Sequence, residues 1–262
     1  MTDMTALLTS VIETRRFSRL PVGLRRRAIR CLWHAQCLTG GSPDFGLGAL
    51  FEDVLRVSGR AARQLQREVA FHDLMAASGW RALDRFGRGG FERDLASIAI
   101  PEAGTLARLA EAPRPIILAP LHMGAFALPL ARMMRDHFGD RRLLILRAGA
   151  ARGPETGAMQ RIGELGIDWR TLDITDKQAY PDAVRFASGR AVIVSFCDLP
   201  GRFGSPQPVT LFGRRCALAA GLAALVRLTN AVAVPIAVHS TLGGDQVTLG
   251  PTFESHGGGD GE

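Results

Sequence analysis

Apolar positions along the chain follow two rhythms that change near residue 115. Before it they recur every three or four residues among polar and charged positions, the period of amphipathic helices, and predict helices over 6–38, 47–57, 61–77 and 91–110. Pro21 and Gly23 interrupt the first. The Gly/Ser/Pro/Asp stretch 40–44 reads as a loop, and 87–90 as the break before the last helix. Beyond 115, short continuous apolar runs alternate with helical stretches. Strands are expected over 116–119, 143–146, 169–172, 191–196 and 231–238, and helices after Gly124 and over 156–165, 178–187 and 216–226. Strands alternating with helices imply an α/β fold with a mostly parallel central sheet flanked by helices, here with an N-terminal helical layer. The expected division is 1–110 as that layer of the same domain, 111–256 as the α/β core and 257–262 as a flexible Gly-rich tail.

With 262 residues, 47% of them hydrophobic, the chain can bury a full core. Formal charge is +7, and Lys177 is the only lysine among 32 basic residues. Such a balance suits a phosphorylated substrate, an acidic carrier protein or an anionic membrane surface. Nucleic acid is not expected as a partner, because aromatics make up only 6% of the chain and a base-stacking platform is hard to build. Cys31, Cys37, Cys197 and Cys216 have no metal-ligand spacing and read as buried, reduced thiols; no metal or cofactor is expected. The N-terminus lacks a targeting pattern and no run is long and apolar enough to span a membrane, so a cytoplasmic protein, soluble or peripherally membrane-associated, is expected.

One stretch concentrates candidate chemistry. The apolar run 116–119 leads through Pro120 to His122 and Gly124, and then to a helix marked by Phe126, Leu130, Met133 and Met134. A histidine just beyond a buried strand stands where open α/β sheets bind ligands. A core or capping histidine is the alternative.

His122-Met-Gly124-Ala-Phe-Ala127 resembles the His-x4-acid block of the lysophospholipid acyltransferase superfamily, in the form of its bacterial lipid A (late-step) acyltransferase branch, His-x-Gly-Asn-x-Glu. His122 and Gly124 match; Ala127 stands where that pattern has its acid. Asp198 followed by Pro200 and Gly201, the pair Phe212-Gly213, the small-residue stretch 216–226 and the Pro-containing strand 231–238 follow in the same order, so the likeness covers roughly 115–253. No counterpart of the branch's N-terminal membrane anchor is expected from this sequence. The resemblance implies an acyltransferase that moves an acyl group from a carrier-protein or coenzyme A thioester to a hydroxyl or amine. His122 would be the general base, with no cofactor beyond the thioester. Amide groups at Met123 and Gly124 would stabilise the oxyanion. It also implies substrate contacts at Gly124, Phe212 and Gly213, and at Arg147 and Arg161 as phosphate holders; for each arginine a surface role is the alternative.

The missing acid at Ala127 leaves two readings open. Either Asp198, at the end of strand 191–196, approaches His122 across the sheet edge and replaces it, or the chain is a non-catalytic binder of acyl chains or carrier protein on the same fold. Asp198 shaping its own Pro-Gly loop is the plainer role. An α/β-hydrolase is disfavoured by the absence of a Gly-x-Ser-x-Gly elbow, and a dinucleotide site by the absence of Gly-x-Gly-x-x-Gly. The cluster Arg25, Arg26, Arg27 and Arg30 reads either as a face that docks an acidic partner or as the solvated side of a packed helix.

Overall fold

The computed structural model describes residues 10–39, 45–85, 88–149 and 154–255. The expected loop 40–44, the start of the break at 87–90 and the tail 257–262 lie outside the described residues.

The helical layer comprises α1 (Arg15–Ser18), α2 (Val22–Leu38), α3 (Gly48–Leu55), α4 (Gly59–Arg85), α5 (Arg88–Ala96) and α6 (Ala103–Glu111). The sheet follows, with β1 (Ile116–Pro120), β2 (Arg142–Arg147), β3 (Trp169–Asp173), β4 (Ala191–Val194), β7 (Val232–Ser240), β8 (Asp245–Leu249) and β9 (Phe253–Glu254). Helices α7 (Ala127–His137), α8 (Pro154–Gly163), α9 (Ala179–Phe186) and α10 (Gly221–Thr229) connect them, and β5 (Pro206–Leu211) and β6 (Arg214–Ala219) form a separate hairpin. Strand order is β3-β2-β4-β1-β7-β8, with β9 also on β7; the first five strands are parallel and the last two antiparallel to β7. The mostly parallel α/β sheet expected from the pattern is therefore present. Among the described residues no helix is long and apolar enough to cross a membrane.

Strand β1 is buried along its whole length because side chains point alternately into two cores. Ile116 and Leu118 join the core built with α5, α6, α7 and α8, whereas Ile117 joins the one built with α9 and α10. Each such aliphatic side chain contributes about 1.5–3 kcal/mol of burial. A third cluster, with Trp33 and Phe71 at its centre, holds α2 against α4.

Several expected elements differ. The stretch 216–226 is not one helix: Cys216–Ala219 belong to β6, and α10 starts only at Gly221. Small residues permit either state, and pairing with β5 across the Phe212-Gly213 turn decides it. The helix expected over 91–110 is broken where Ala99 bridges to Gln246 and Pro101 follows. Gly89 and Gly90, expected in a break, lie within α5.

The arginine cluster is neither a docking face nor a solvated one. Arg25 and Arg26 are 2% and 5% exposed. Arg25 Nη2 donates to Asp94 at 2.5 Å, and Arg26 Nη2 donates to both Asp245 oxygens at 2.8 and 2.9 Å. Arg30 reaches Glu68 through two bonds at 2.8 and 2.9 Å; only Arg27 faces solvent. These guanidinium groups tie α2 to α5, to β8 and to α4, a use of arginine that its planar fork favours. The cysteines are not buried as expected: Cys31 is exposed, and Cys37, Cys197 and Cys216 are partly exposed.

Candidate active site

Adjacent parallel strands β1 and β4 send the chain to opposite faces of the sheet, β1 to α7 and β4 by way of the hairpin to α10. Such a switch opens a crevice beyond the strand carboxyl ends. Register decides what meets there. Leu118 pairs with Val194, and the ladder continues as Ser195 N donates to the Leu118 carbonyl and Cys197 N to that of Pro120. Continued two residues further, that register sets Asp198 beside His122.

The contact is double. The backbone N–H of His122 donates to Asp198 Oδ2 at 2.8 Å, and His122 Nδ1 lies 2.7 Å from Asp198 Oδ1. A carboxylate only accepts, so the hydrogen sits on Nδ1, and in the neutral ring Nε2 is the nitrogen with the lone pair. The imidazole also stacks on Phe196, with centroids 3.8 Å apart and planes 20° from parallel, while Phe126 presents its edge to both rings. The ring is thus held on one face and at one nitrogen. It remains reachable, with 48% of the His122 side chain and 33% of the Asp198 side chain exposed.

Gly124 makes this placement possible. Its φ of +67° is the left-handed region, and an added Cβ would strike the Val238 carbonyl oxygen. The turn is braced from behind: Ala125 N donates to Ser240 Oγ at 3.2 Å, and Ser240 Oγ donates to Asp245 Oδ1 at 2.6 Å, the carboxylate that also holds Arg26. Of the two amides expected to serve an oxyanion, Met123 N–H is occupied, donating to the Leu121 carbonyl at 2.7 Å. Gly124 N–H has no partner among the described residues.

A cavity of about 610 Å³ opens at the dyad. His122 and Asp198 lie on its wall together with an apolar lining in which Ala127, Leu130, Met134, Ile145 and Ile162 stand. Its size is that of small-molecule sites, and so is its mostly apolar wall with a few polar groups. Ala127 is 8% exposed and belongs to this apolar wall.

The remaining expected residues divide. Arg147 lines the cavity, with Nε donating to the Gly149 carbonyl at 2.9 Å. Arg161 does not line it; it pairs at 2.6 Å with Glu164, three residues on and just past the end of α8. Phe212 and Gly213 are also elsewhere. They form the tip of the β5–β6 hairpin, at φ +50° and +75°, with Phe212 79% exposed. A two-residue turn with both φ positive is what closes a tight hairpin, which accounts for the glycine without a substrate. Three residues of the site were missed: Phe196, which carries the imidazole, Trp80, which meets Phe126 edge-on from α4, and Arg202, whose guanidinium lies 4.9 Å from the Phe203 ring at the cavity wall. Phe196 adjoins the Cys197-Asp198 strand end and was legible as a neighbour; Trp80 comes from a helix that periodicity gives no reason to bring near His122.

No known family model matches the chain, and no curated protein matches it either.

Proposed function

We propose that the chain is an acyltransferase that moves an acyl group from a carrier-protein or coenzyme A thioester to a hydroxyl or amine. The observation that carries this reading is the Nδ1–Asp198 contact of 2.7 Å at the mouth of a cavity of about 610 Å³ walled by aliphatic side chains. An acyl chain has the chemistry of that wall, and its carbonyl carbon would then lie at the polar mouth. His122 Nε2 accepts the proton of the attacking hydroxyl or amine. Asp198 keeps the ring in the tautomer that has a free Nε2 and offsets the charge of the imidazolium that forms. Gly124 does not line the cavity, but its N–H, without a partner among the described residues, is the amide of this turn left open to the tetrahedral oxyanion. Its collapse expels the thiolate, which takes the proton back from Nε2 and leaves as thiol. The resemblance of His122-x-Gly124 to the lipid A acyltransferase block supports the same reading.

Ala127 loses its weight as an argument for a non-catalytic binder, because the imidazole already has a carboxylate on Nδ1. The test is thiol release from a panel of acyl-coenzyme A and acyl-carrier thioesters of increasing chain length, with hydroxyl and amine acceptors. His122→Ala should lower turnover about 10²-fold or more with the fold intact. Acyl-chain binding without thiol release from any thioester would replace the enzyme reading by that of a binding protein.

A further inference from the structure

A second cavity, of about 330 Å³, lies on the other side of the Phe196, Leu199 and Phe203 wall from the dyad. Ser195, the first residue after β4, lines it. Ser195 is only 6% exposed, and its hydroxyl has no hydrogen-bond partner among the described residues. The Ser195 hydroxyl is not sealed off: it is open to the cavity and can donate to whatever occupies it.

The opposite wall is the first turn of α10: Ala220, Gly221 and Leu222 line the cavity. Ala220 stands at the N-cap, where no side chain caps the helix. The first amide with an acceptor is Ala224, bonded to the Ala220 carbonyl at 3.1 Å, and the N–H groups of Gly221, Leu222 and Ala223 have none among the described residues. These open donors and the helix dipole place partial positive charge at the cavity. The turn is fixed in position by Ala219 N on the Leu199 carbonyl and Ala220 N on the Ser205 carbonyl, each at 2.9 Å, and by the Tyr180 hydroxyl, which donates to the Gly221 carbonyl. The rim carries Lys177, the only lysine, which is exposed and has no ion pair among the described residues. Asp176 also stands on the rim; its Oδ1 is occupied by the Gln178 N–H at 2.9 Å.

We infer that this cavity is a phosphate site, in which the α10 amides and the Ser195 hydroxyl donate to the phosphate oxygens and Lys177 supplies the counter-charge. Open helix amides, an unpartnered hydroxyl donor in the cavity wall and an ammonium are donors that suit an oxyanion with several acceptor oxygens. Phosphate binding stands apart from acyl transfer; its place in a reaction rests on the acyltransferase reading, with the phosphate belonging either to the thioester donor or to a phosphorylated acceptor.

Calorimetric titration of the full chain with inorganic phosphate tests the site without turnover. Wild type should bind, and Ser195→Ala should bind about tenfold more weakly or worse, as for loss of one hydrogen bond to a charged group. Ala220→Asp puts a negative charge at the same helix end, so it should lose phosphate binding while circular dichroism shows it folded. His122→Ala should bind phosphate as wild type does even if all acyl transfer fails, which separates the two readings. Competition identifies the source. Displacement of coenzyme A by phosphate, with acyl-N-acetylcysteamine unaffected, assigns the site to the donor; phosphate binding that leaves coenzyme A in place assigns it to the acceptor. No phosphate binding at millimolar concentration, or unchanged binding in folded Ala220→Asp, overturns the inference.

Discussion

Asp198→Asn replaces one oxygen by an amide nitrogen and changes what the position can do to His122. Asp198 accepts twice, from the His122 backbone N–H at 2.8 Å and at Nδ1 at 2.7 Å. Asparagine has one accepting atom and one donating group. The backbone N–H cannot adapt, so it claims the amide oxygen; the opposite orientation sets two donors face to face and costs about 1–3 kcal/mol. The amide NH₂ then points at Nδ1, and the ring answers by moving its hydrogen to Nε2, the nitrogen required as base. A base held in the wrong tautomer loses about 10²- to 10⁴-fold in rate. Nitrogen-15 NMR of the imidazole reads this directly: Nδ1–H in wild type, Nε2–H in the variant. Thiol release from acyl-coenzyme A reads the consequence. An unchanged tautomer refutes the hydrogen-bond argument. A switched tautomer with full turnover refutes His122 as the base.

Arg26→Ala leaves Asp245 buried without its cation and should cost about 3–5 kcal/mol in denaturant unfolding; a loss below 1 kcal/mol contradicts the account of the buried strut. Ala127→Glu supplies the acid of the pattern that His122 and Gly124 resemble, in sequence only: it buries a carboxylate in an apolar wall while Nδ1 is already engaged, so stability should fall by about 3 kcal/mol or more and thiol release should not rise. The Arg30 hydrogen bonds hold the Glu68 carboxyl below its ordinary 4.5, so this pair stabilises the fold above that pH and the contribution is lost as pH falls through the lowered value. The Tm difference between wild type and Glu68→Gln should therefore be largest near neutrality and shrink in acid; a constant difference would assign the effect to packing.

The chain's own periodicity was enough for the class of fold. Ile116, Ile117 and Leu118 are continuous and apolar because both faces of a central parallel strand are buried, and no partner is needed to read that. His122 and Gly124 were legible for a local reason as well, since only a residue free to take φ of +67° turns the chain so closely under Val238. Asp198 was legible as a strand-end carboxylate, but whether it shaped its own loop or met His122 depended on register, which is a non-local quantity. A slip of one residue between β1 and β4 would have turned it to the other face of the sheet. The same limit explains the hairpin. Cys216 to Ala219 carry no strong preference, and β5 lying antiparallel alongside makes them strand. The arginines of α2 mark the limit most clearly: on the sequence they form a basic run, and only the positions of Asp94, Asp245 and Glu68, each distant along the chain, make them internal ties, because a charge can be buried only where its counter-charge already waits.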